Sequence, residues 1–457
     1  MEEFDVLVIG SGSGMIVAAQ AVASGLKTAL VDSGPMGGTC INRGCVPSKM
    51  LMYPADVLET IREAEKLGIN ASVTAIDFKR IMKNMHETVM GDVEQQTKAV
   101  KSEANINCFK GVGEFVSDHT LKVGDATIKA KRIFIVSGAR PDIPEIKGIK
   151  NVDYLTSDTV LNLETLPRSM IIIGGGYVAA EYGHFFSSMG TKVTIIQKNA
   201  RLLPGEEPEV SDLIKEEMEE RMAIFTNYEA IEATQKGDAK AVLARKVGDG
   251  SLKEFTAEAV LVGTGRVPNS DILKPQKTGV EVDRRGYIKV DQYLETRKKS
   301  IWAFGDAIGR QMFKHVANYE AQITWHNAIH DHKIEMDYSA APHAIFTHPQ
   351  VASVGLKESE AKRHGNKIYV GTAYYRDTAL GAAMGRPKGF VKVILDGNTG
   401  KILGGHIVGP FASVLIQEIV NAMATGDRTF SPILRSMHVH PAMSEVVQNA
   451  FVNLGEA

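Results

Sequence analysis

Two glycine-rich turns, each set between an apolar strand and a small-residue helix, limit what this chain can become. Residues 4 to 9, Phe-Asp-Val-Leu-Val-Ile, read as a buried parallel strand. Gly10, Gly12 and Gly14 follow, then an alanine-rich helix through Gly25, and a second strand over 27 to 32 that ends in Asp32. Glycines allow a tight turn and close approach to a pyrophosphate, and the helix N-terminus faces the anion. An acid roughly 20 residues on is placed for ribose hydroxyls. Met15 stands at the third glycine position, so strand and helix are expected to pack further apart or the helix to tilt. The pattern returns at 169 to 173, Ser-Met-Ile-Ile-Ile, with Gly174, Gly175 and Gly176, Ala179 at the third position, and a strand over 192 to 196. Two such turns imply two dinucleotide-binding domains, the natural pair being a flavin and a nicotinamide. The 457 residues leave room for about three domains.

The second constraint is a pair of cysteines. Cys40 and Cys45 lie in Gly-Gly-Thr-Cys-Ile-Asn-Arg-Gly-Cys-Val-Pro-Ser-Lys, residues 37 to 49, and Cys108 is the only other cysteine. A close pair in a cysteine-poor chain suits redox or metal chemistry better than structural bridging. Metal is not expected, because no second Cys/His pair has zinc-like spacing. Beside a flavin, the pair is read as cycling between dithiol and disulfide. Cys108, in Ile-Asn-Cys-Phe, is read as a small buried strand residue. The net charge of -2 points to neither nucleic acid nor an anionic membrane. No apolar run approaches the roughly 18 residues of a spanning helix, and the N-terminus lacks a basic signal region. A cytoplasmic protein is expected.

The segment 300 to 307, Ser-Ile-Trp-Ala-Phe-Gly-Asp-Ala, reads as a strand ending at Gly305-Asp306, either an ordinary strand-to-helix turn or a carboxylate aimed at the first nucleotide. From about residue 340 the pattern changes. Runs at 389 to 395 and 401 to 409, joined by Asp-Gly-Asn-Thr-Gly, read as an antiparallel hairpin. Helices are expected from Phe411 to Thr425 and from Ser444 to Leu454.

Together these motifs, spread from residue 4 to residue 445, resemble the class I, flavin-dependent pyridine nucleotide-disulfide oxidoreductases. The matching residues are Gly37 to Lys49, Ala303 to Asp306, Thr347 to Gly355 and His440-Pro-Ala-Met-Ser-Glu445. The resemblance implies an α/β fold with two Rossmann-like dinucleotide-binding domains and a C-terminal α+β dimerisation domain. Its segments are 1–143 for FAD, 144–267 for NAD(P), 268–335 returning to FAD, and 336–457 for dimerisation. It implies a homodimer whose active site is shared between chains. Cys45 would lie against the flavin and Cys40 would meet substrate. His440 would shuttle protons to the other subunit's Cys40, oriented by Glu445. His438 and His348 are read as ordinary loop histidines. Lys49 and Glu181 would bridge beside the flavin, and Tyr177 would cover its nicotinamide face, core packing being the alternative. FAD contacts would come from Gly10, Gly12, Gly14, Asp32, Gly38, Thr39, Gly138, Asp306 and Ala317. NAD(P) contacts would come from Gly174, Gly176, Tyr177, Ala179, Gln197, Lys198 and Gly265.

Within the family, Arg43 between the cysteines, Thr347 to Gly355 and the His-Pro-x-x-Ser-Glu run resemble dihydrolipoamide dehydrogenase. Gly10 to Met15 and Gly174 to Gly190 resemble mycothione reductase. The last residues, Phe451 to Ala457, carry no vicinal cysteines, which disfavours mercuric reductase and the large thioredoxin reductases. Gln197 stands where NAD-specific relatives carry an acid. With no carboxylate there, Lys198 or Arg201 can meet a 2′-phosphate, which leans toward NADPH. The first expectation is dihydrolipoamide oxidation or its reverse, with a 2-oxo acid dehydrogenase complex as a possible partner. The second is an NADPH-dependent reductase of a low-molecular-weight disulfide. A flavin-bound sensor without turnover is disfavoured by the intact Cys40, Cys45, His440 and Glu445.

Overall fold

The computed structural model describes residues 1–363 and 367–457. They form two compact units. The first comprises Met1–Met50, Met82–Asp142 and Gly265–Asp337, the second Leu51–Ile81, Ile143–Thr264 and Tyr338–Ala457. The second unit takes residues 51–81 away from the stretch expected to bind the first dinucleotide. The reason is local. Glu59 pairs with Arg221 at 3.0 Å, Arg62 donates to the Ser188 carbonyl at 2.8 Å, and Phe78 packs on Phe185 with ring centroids 6.3 Å apart.

In the first unit, Val6, Leu7 and Val8 are wholly buried, as a parallel strand covered on both faces requires. Strand Glu2–Ile9 pairs in parallel with Thr28–Asp32 on one side and Ala126–Ile135 on the other. Ile106–Lys110 closes one edge and the antiparallel strands Thr120–Val123 and Gly113–Ser117 extend the other side. The late strand Ile301–Ala303 adds to this sheet by pairing in parallel with Ala126–Ile135. Trp302 is opposite Phe134 in register, and their rings stack at 5.3 Å. The residues leading to Asp306 therefore return to the first fingerprint's sheet.

One expectation changes here. Cys108 does sit on a strand, opposite Leu30, but it is exposed, because Ile106–Lys110 is the sheet's edge. Helix Gly14–Ala23 makes a close approach to its strand. It is made at Gly14, one residue before the expected position: a Cβ there would stand 2.8 Å from Val8 Cγ1. Met15 is half-buried and does not take the contact.

In the second unit a five-stranded parallel sheet has the order Ala223–Thr226, Lys192–Gln197, Ser169–Ile173, Ala259–Val262, Leu155–Thr156. An antiparallel three-stranded sheet, Tyr228–Lys236, Ala239–Lys246 and Leu252–Ala257, shares its core through Val242, Ala244, Phe255, Ile171 and Val260. The C-terminal part is a six-stranded antiparallel sheet. Phe390–Asp396 and Ile402–Gly409 form the expected hairpin. Helices Ala412–Ala424 and Glu445–Val452 bury Leu415, Ile419, Val447 and Phe451 against Val391, Val393 and Ile407. Among the described residues no helix is long and apolar enough to cross a membrane.

The Gly14 contact is testable. Gly14→Leu is expected to lower the stability of the apoprotein by about 1–3 kcal/mol through overpacking, read from the urea midpoint, whereas Met15→Ala should shift it far less. A larger effect at Met15 than at Gly14 would place the tight contact wrongly.

Candidate active site

The thiol pair is held by backbone. A Cβ added at Gly38 would stand 2.7 Å from Gly12 Cα, so the short helix Gly38–Arg43 rests directly on the first fingerprint loop. Gly38 also has φ +62°, which disfavours any side chain. Ser11 Oγ accepts the Gly37 N–H at 3.2 Å. Asn42 donates to the carbonyls of Met36 at 3.1 Å and Gly38 at 2.9 Å, tying the helix to the loop before it. Gly44 then allows a tight turn, and the next helix, Cys45–Glu63, begins at the second cysteine. Cys40 is half-buried and Cys45 exposed. Hydrogen bonding to Cys45, then burial, then the neighbouring sulfur's charge push the Cys40 thiol far above its ordinary range, and Lys314 opposes the shift.

The first fingerprint fits a flavin dinucleotide. Its turn is bare backbone at Gly10, Gly12 and Gly38. Asp32, at the end of its strand, accepts the Ser11 N–H at 2.6 Å and the Gly34 N–H at 2.8 Å. Ser137 Oγ and Arg266 Nε are buried without a hydrogen-bond partner among the described residues. Ser137 adjoins Gly138, and Arg266 Nε lies 3.7 Å from Asp306. Burial pushes the Asp306 carboxyl up, while Arg266 pulls it down. Ala317 packs on Gly305, its Cβ 3.4 Å from where a Cβ on that glycine would be. Gly10, Gly12, Gly14, Asp32, Gly38, Thr39, Gly138, Asp306 and Ala317 all belong to this one unit and are the candidates to hold FAD.

The second fingerprint opens helix Tyr177–Ser188. Tyr177 is 37% exposed, so it is not a core residue. Gln197 is buried and lies over the loop: a Cβ on Gly175 would be 2.5 Å from its Nε2. Lys198 is exposed. Arg201, the other cation expected near a 2′-phosphate, pairs with Asp212 at 2.9 Å. Gly174, Gly176, Tyr177, Ala179, Gln197 and Lys198 are together in the second unit, whereas Gly265 belongs to the first, its carbonyl accepting the Asp142 N–H at 2.9 Å.

His440 and Glu445 are brought together at 2.8 Å through Nδ1, and the imidazole remains 73% exposed. Glu445 also accepts the Ala442 N–H at 3.1 Å. Its hydrogen bond to His440, then that backbone bond, hold its carboxyl below the usual range. Glu181 is buried and accepts the Phe346 N–H at 3.0 Å. Lys49 is half-buried in helix Cys45–Glu63, one turn after Cys45. The two histidines expected in loops are not idle. His438 is nearly buried and meets Glu418 at 2.7 Å, and His348 meets Glu63 at 3.2 Å. Sequence reading missed Ser11, Asn42 and Lys314. Asn42 lay within the cysteine motif and could have been noticed, whereas nothing local links Lys314 to the site.

The pyridine nucleotide-disulphide oxidoreductase family model matches residues 4–329, and the model of its dimerisation domain matches 341–451. Mycothione reductase of Mycobacterium tuberculosis H37Rv is 34% identical over 466 residues, covering 99% of this chain and all of that protein. Dihydrolipoyl dehydrogenase of Chlamydia muridarum is 34% identical over 454 residues, covering 97% and 95%. Among solved structures, the Cu(II) complex of the HOCl-induced flavoprotein disulfide reductase RclA from Escherichia coli matches with a TM-score of 0.88 at 27% identity, covering 99% of each chain. The chain belongs to the pyridine nucleotide-disulphide oxidoreductase family. It is a flavin-dependent oxidoreductase of the class that uses FAD and NAD(P)H.

The Gly12–Gly38 contact predicts how the flavin is held. Gly38→Ala should cost about 1–3 kcal/mol of local overpacking, roughly a tenfold to hundredfold weaker hold on FAD. Flavin titration of refolded apoprotein, with circular dichroism as the control, reads this. Unchanged affinity would mean the contact is not part of the cradle.

Proposed function

We propose that this protein exchanges two electrons between a nicotinamide and a small dithiol or disulfide through the Cys40–Cys45 pair, in a homodimer that completes each site from both chains. The first reading of the substrate is a dihydrolipoyl dithiol. The observation that carries the proposal is the pairing of an exposed His440 imidazole with Glu445 at 2.8 Å, in a chain that also holds a close cysteine pair on a dinucleotide loop. The matching dimerisation domain supports the homodimer. Bound FAD would relay electron pairs between the nicotinamide and the cysteines.

The chain's own residues account for the thiol chemistry. Written as disulfide reduction, the Cys40 thiolate attacks one substrate sulfur, the S–S bond breaks, and the leaving thiolate takes a proton from His440 Nε2 of the partner subunit. Cys45 then attacks Cys40, forming the Cys40–Cys45 disulfide and releasing the second thiol. Dithiol oxidation is the same sequence reversed. Glu445 on Nδ1 fixes the ring and stabilises its protonated form. On this reading Lys49 and Glu181 flank the flavin, Lys49 favouring negative charge there, and Tyr177 screens the nicotinamide site. Residues 1–143 and 268–335 would form the FAD domain apart from 51–81, with 144–267 binding NAD(P) and 336–457 making the dimer.

One observation favours the second reading, an NADPH-dependent reductase of a low-molecular-weight disulfide. The strand end that would carry an acid for NAD ribose carries buried Gln197 and exposed Lys198 instead. A 2′-phosphate meets no carboxylate there and finds a cation within reach.

The two readings separate in one assay. Purified protein given dihydrolipoamide with NAD or NADP should reduce the nicotinamide if the first reading holds. No turnover with either, from yellow protein bleached by NADPH, removes the lipoyl reading and leaves the second. In the residue-level test, Cys40→Ser should abolish disulfide turnover while flavin stays bound. His440→Ala should slow thiol–disulfide exchange by about 10²–10⁴-fold while NAD(P)H still reduces the enzyme. Equal loss of both half-reactions in the His440 variant would count against its role as proton shuttle.

A further inference from the structure

Lys314 is the first residue of helix Lys314–Ile329 and lies in the same compact unit as the cysteines. Its side chain is half-buried. Its Nζ donates to Ser13 Oγ at 3.0 Å, and Ser13 Oγ donates to Asn318 Oδ1 at 2.9 Å, one turn further along the same helix. Ser13 lies between Gly12 and Gly14 of the first fingerprint. Gly12 carries the backbone contact with Gly38, two residues before Cys40, and Ser11 Oγ holds the Gly37 N–H. Three consecutive residues, Ser11 to Ser13, therefore anchor the cysteine helix on one side and the lysine on the other.

No carboxylate pairs with Lys314 among the described residues, which is unusual for a lysine withdrawn from water. Burial pushes its ammonium down, and the charges that oppose this are Cys40 and Cys45. The relation is reciprocal: the cation that pulls Cys40 down is Lys314. Arg43 and Lys49 are the other charged groups near the pair in sequence. Arg43 reaches toward Gly34, its Nη2 3.9 Å from where a Cβ there would be, beside Asp32. Lys49 is one helical turn beyond Cys45, Gln96 beside Gly37 is neutral, and on the reading above the imidazole is supplied by His440 of the partner subunit.

We propose that Lys314, anchored on Ser13, is a positioning residue of the thiol chemistry: its ammonium is the fixed counter-ion of the negative charge that the reduced Cys40–Cys45 pair carries. This rests on the reading of that pair as the redox centre. The lysine makes no bond to substrate. It favours the thiolate over the thiol, against the burial and the neighbouring sulfur that push Cys40 up. Its effect is on the ionisation of the pair itself and needs no substrate to be seen.

The experiment is alkylation of the reduced holoenzyme with iodoacetamide from about pH 5 to about pH 10, without substrate. The peptide carrying Cys40 and Cys45 is quantified by mass, with the Cys108 peptide as internal reference. Lys314→Met should raise the midpoint of the pair's first ionisation by roughly 1–3 pH units, and Lys314→Arg should stay within about half a unit of the parent. The Cys108 profile should not move. Superposed profiles for the parent and Lys314→Met, from folded and flavin-loaded protein, would overturn the proposal. If Lys314→Met loses its fold, Lys314→Gln keeps a donor to Ser13 and is read in its place; an unshifted Gln profile overturns the proposal equally. A parent pair that shows no ionisation in this range would instead remove the redox reading of the pair, and the role of Lys314 with it.

Discussion

The contact of bare backbone at Gly12 with bare backbone at Gly38 is the constraint from which the first site follows. A Cβ at Gly38 would stand 2.7 Å from Gly12 Cα, so neither segment can retreat without losing the other. The fingerprint loop needs open backbone to approach a pyrophosphate. The cysteine helix uses that same openness to lie on the loop. Asp32 closes the arrangement by accepting from Ser11, and Asn42 stiffens the turn leading into Cys40. A pair of thiols is thus placed beside a dinucleotide site by a backbone contact and the hydrogen bonds of Ser11, Asp32 and Asn42, which leaves the sulfurs' own surroundings to set their reactivity.

A different device steadies the second fingerprint. Leu203 N–H donates to the Gly175 carbonyl at 2.7 Å, so the loop after strand Lys192–Gln197 folds back on the turn. That loop continues into Glu206 and Glu207, both buried. Glu206 accepts from Ser353 at 2.6 Å and meets His343 at 2.6 Å, and Lys392 meets Glu209 and Glu358, each at 2.7 Å. Buried charges are tolerated only when each finds partners, and breaking one partner is costlier than the pair is worth. Such a cluster fixes geometry more than it adds stability. Here it ties the nicotinamide-side loop to the six-stranded sheet within one unit.

What could be read from the sequence was what lies close along it. His440 and Glu445 are five residues apart and meet. Ser11 of the first turn and Asp32 are one strand–helix–strand apart and meet. The hairpin at 390–409 was visible in its turn residues. What the sequence left open is decided by neighbours distant along it. Cys108 is apolar in context, yet its strand is an edge and the thiol is exposed. Met15 occupies a motif position, but the tight contact falls on Gly14 because Val8 is opposite it. His348 and His438 looked like loop histidines, and each meets a carboxylate on another element.

The sequence by itself determined the two dinucleotide turns, the thiol pair, the histidine–glutamate dyad and the family, because each is a short run whose backbone geometry or chemistry needs those residues at that spacing. Only the tertiary structure decided what surrounds them. Lys314 reaches Ser13 across about 300 positions, and Ile301–Ala303 joins a sheet begun at Glu2. Residues 51–81 leave the unit that holds the cysteines. Burial, charge pairing and edge exposure depend on which distant segments are packed together, and no local pattern encodes that choice.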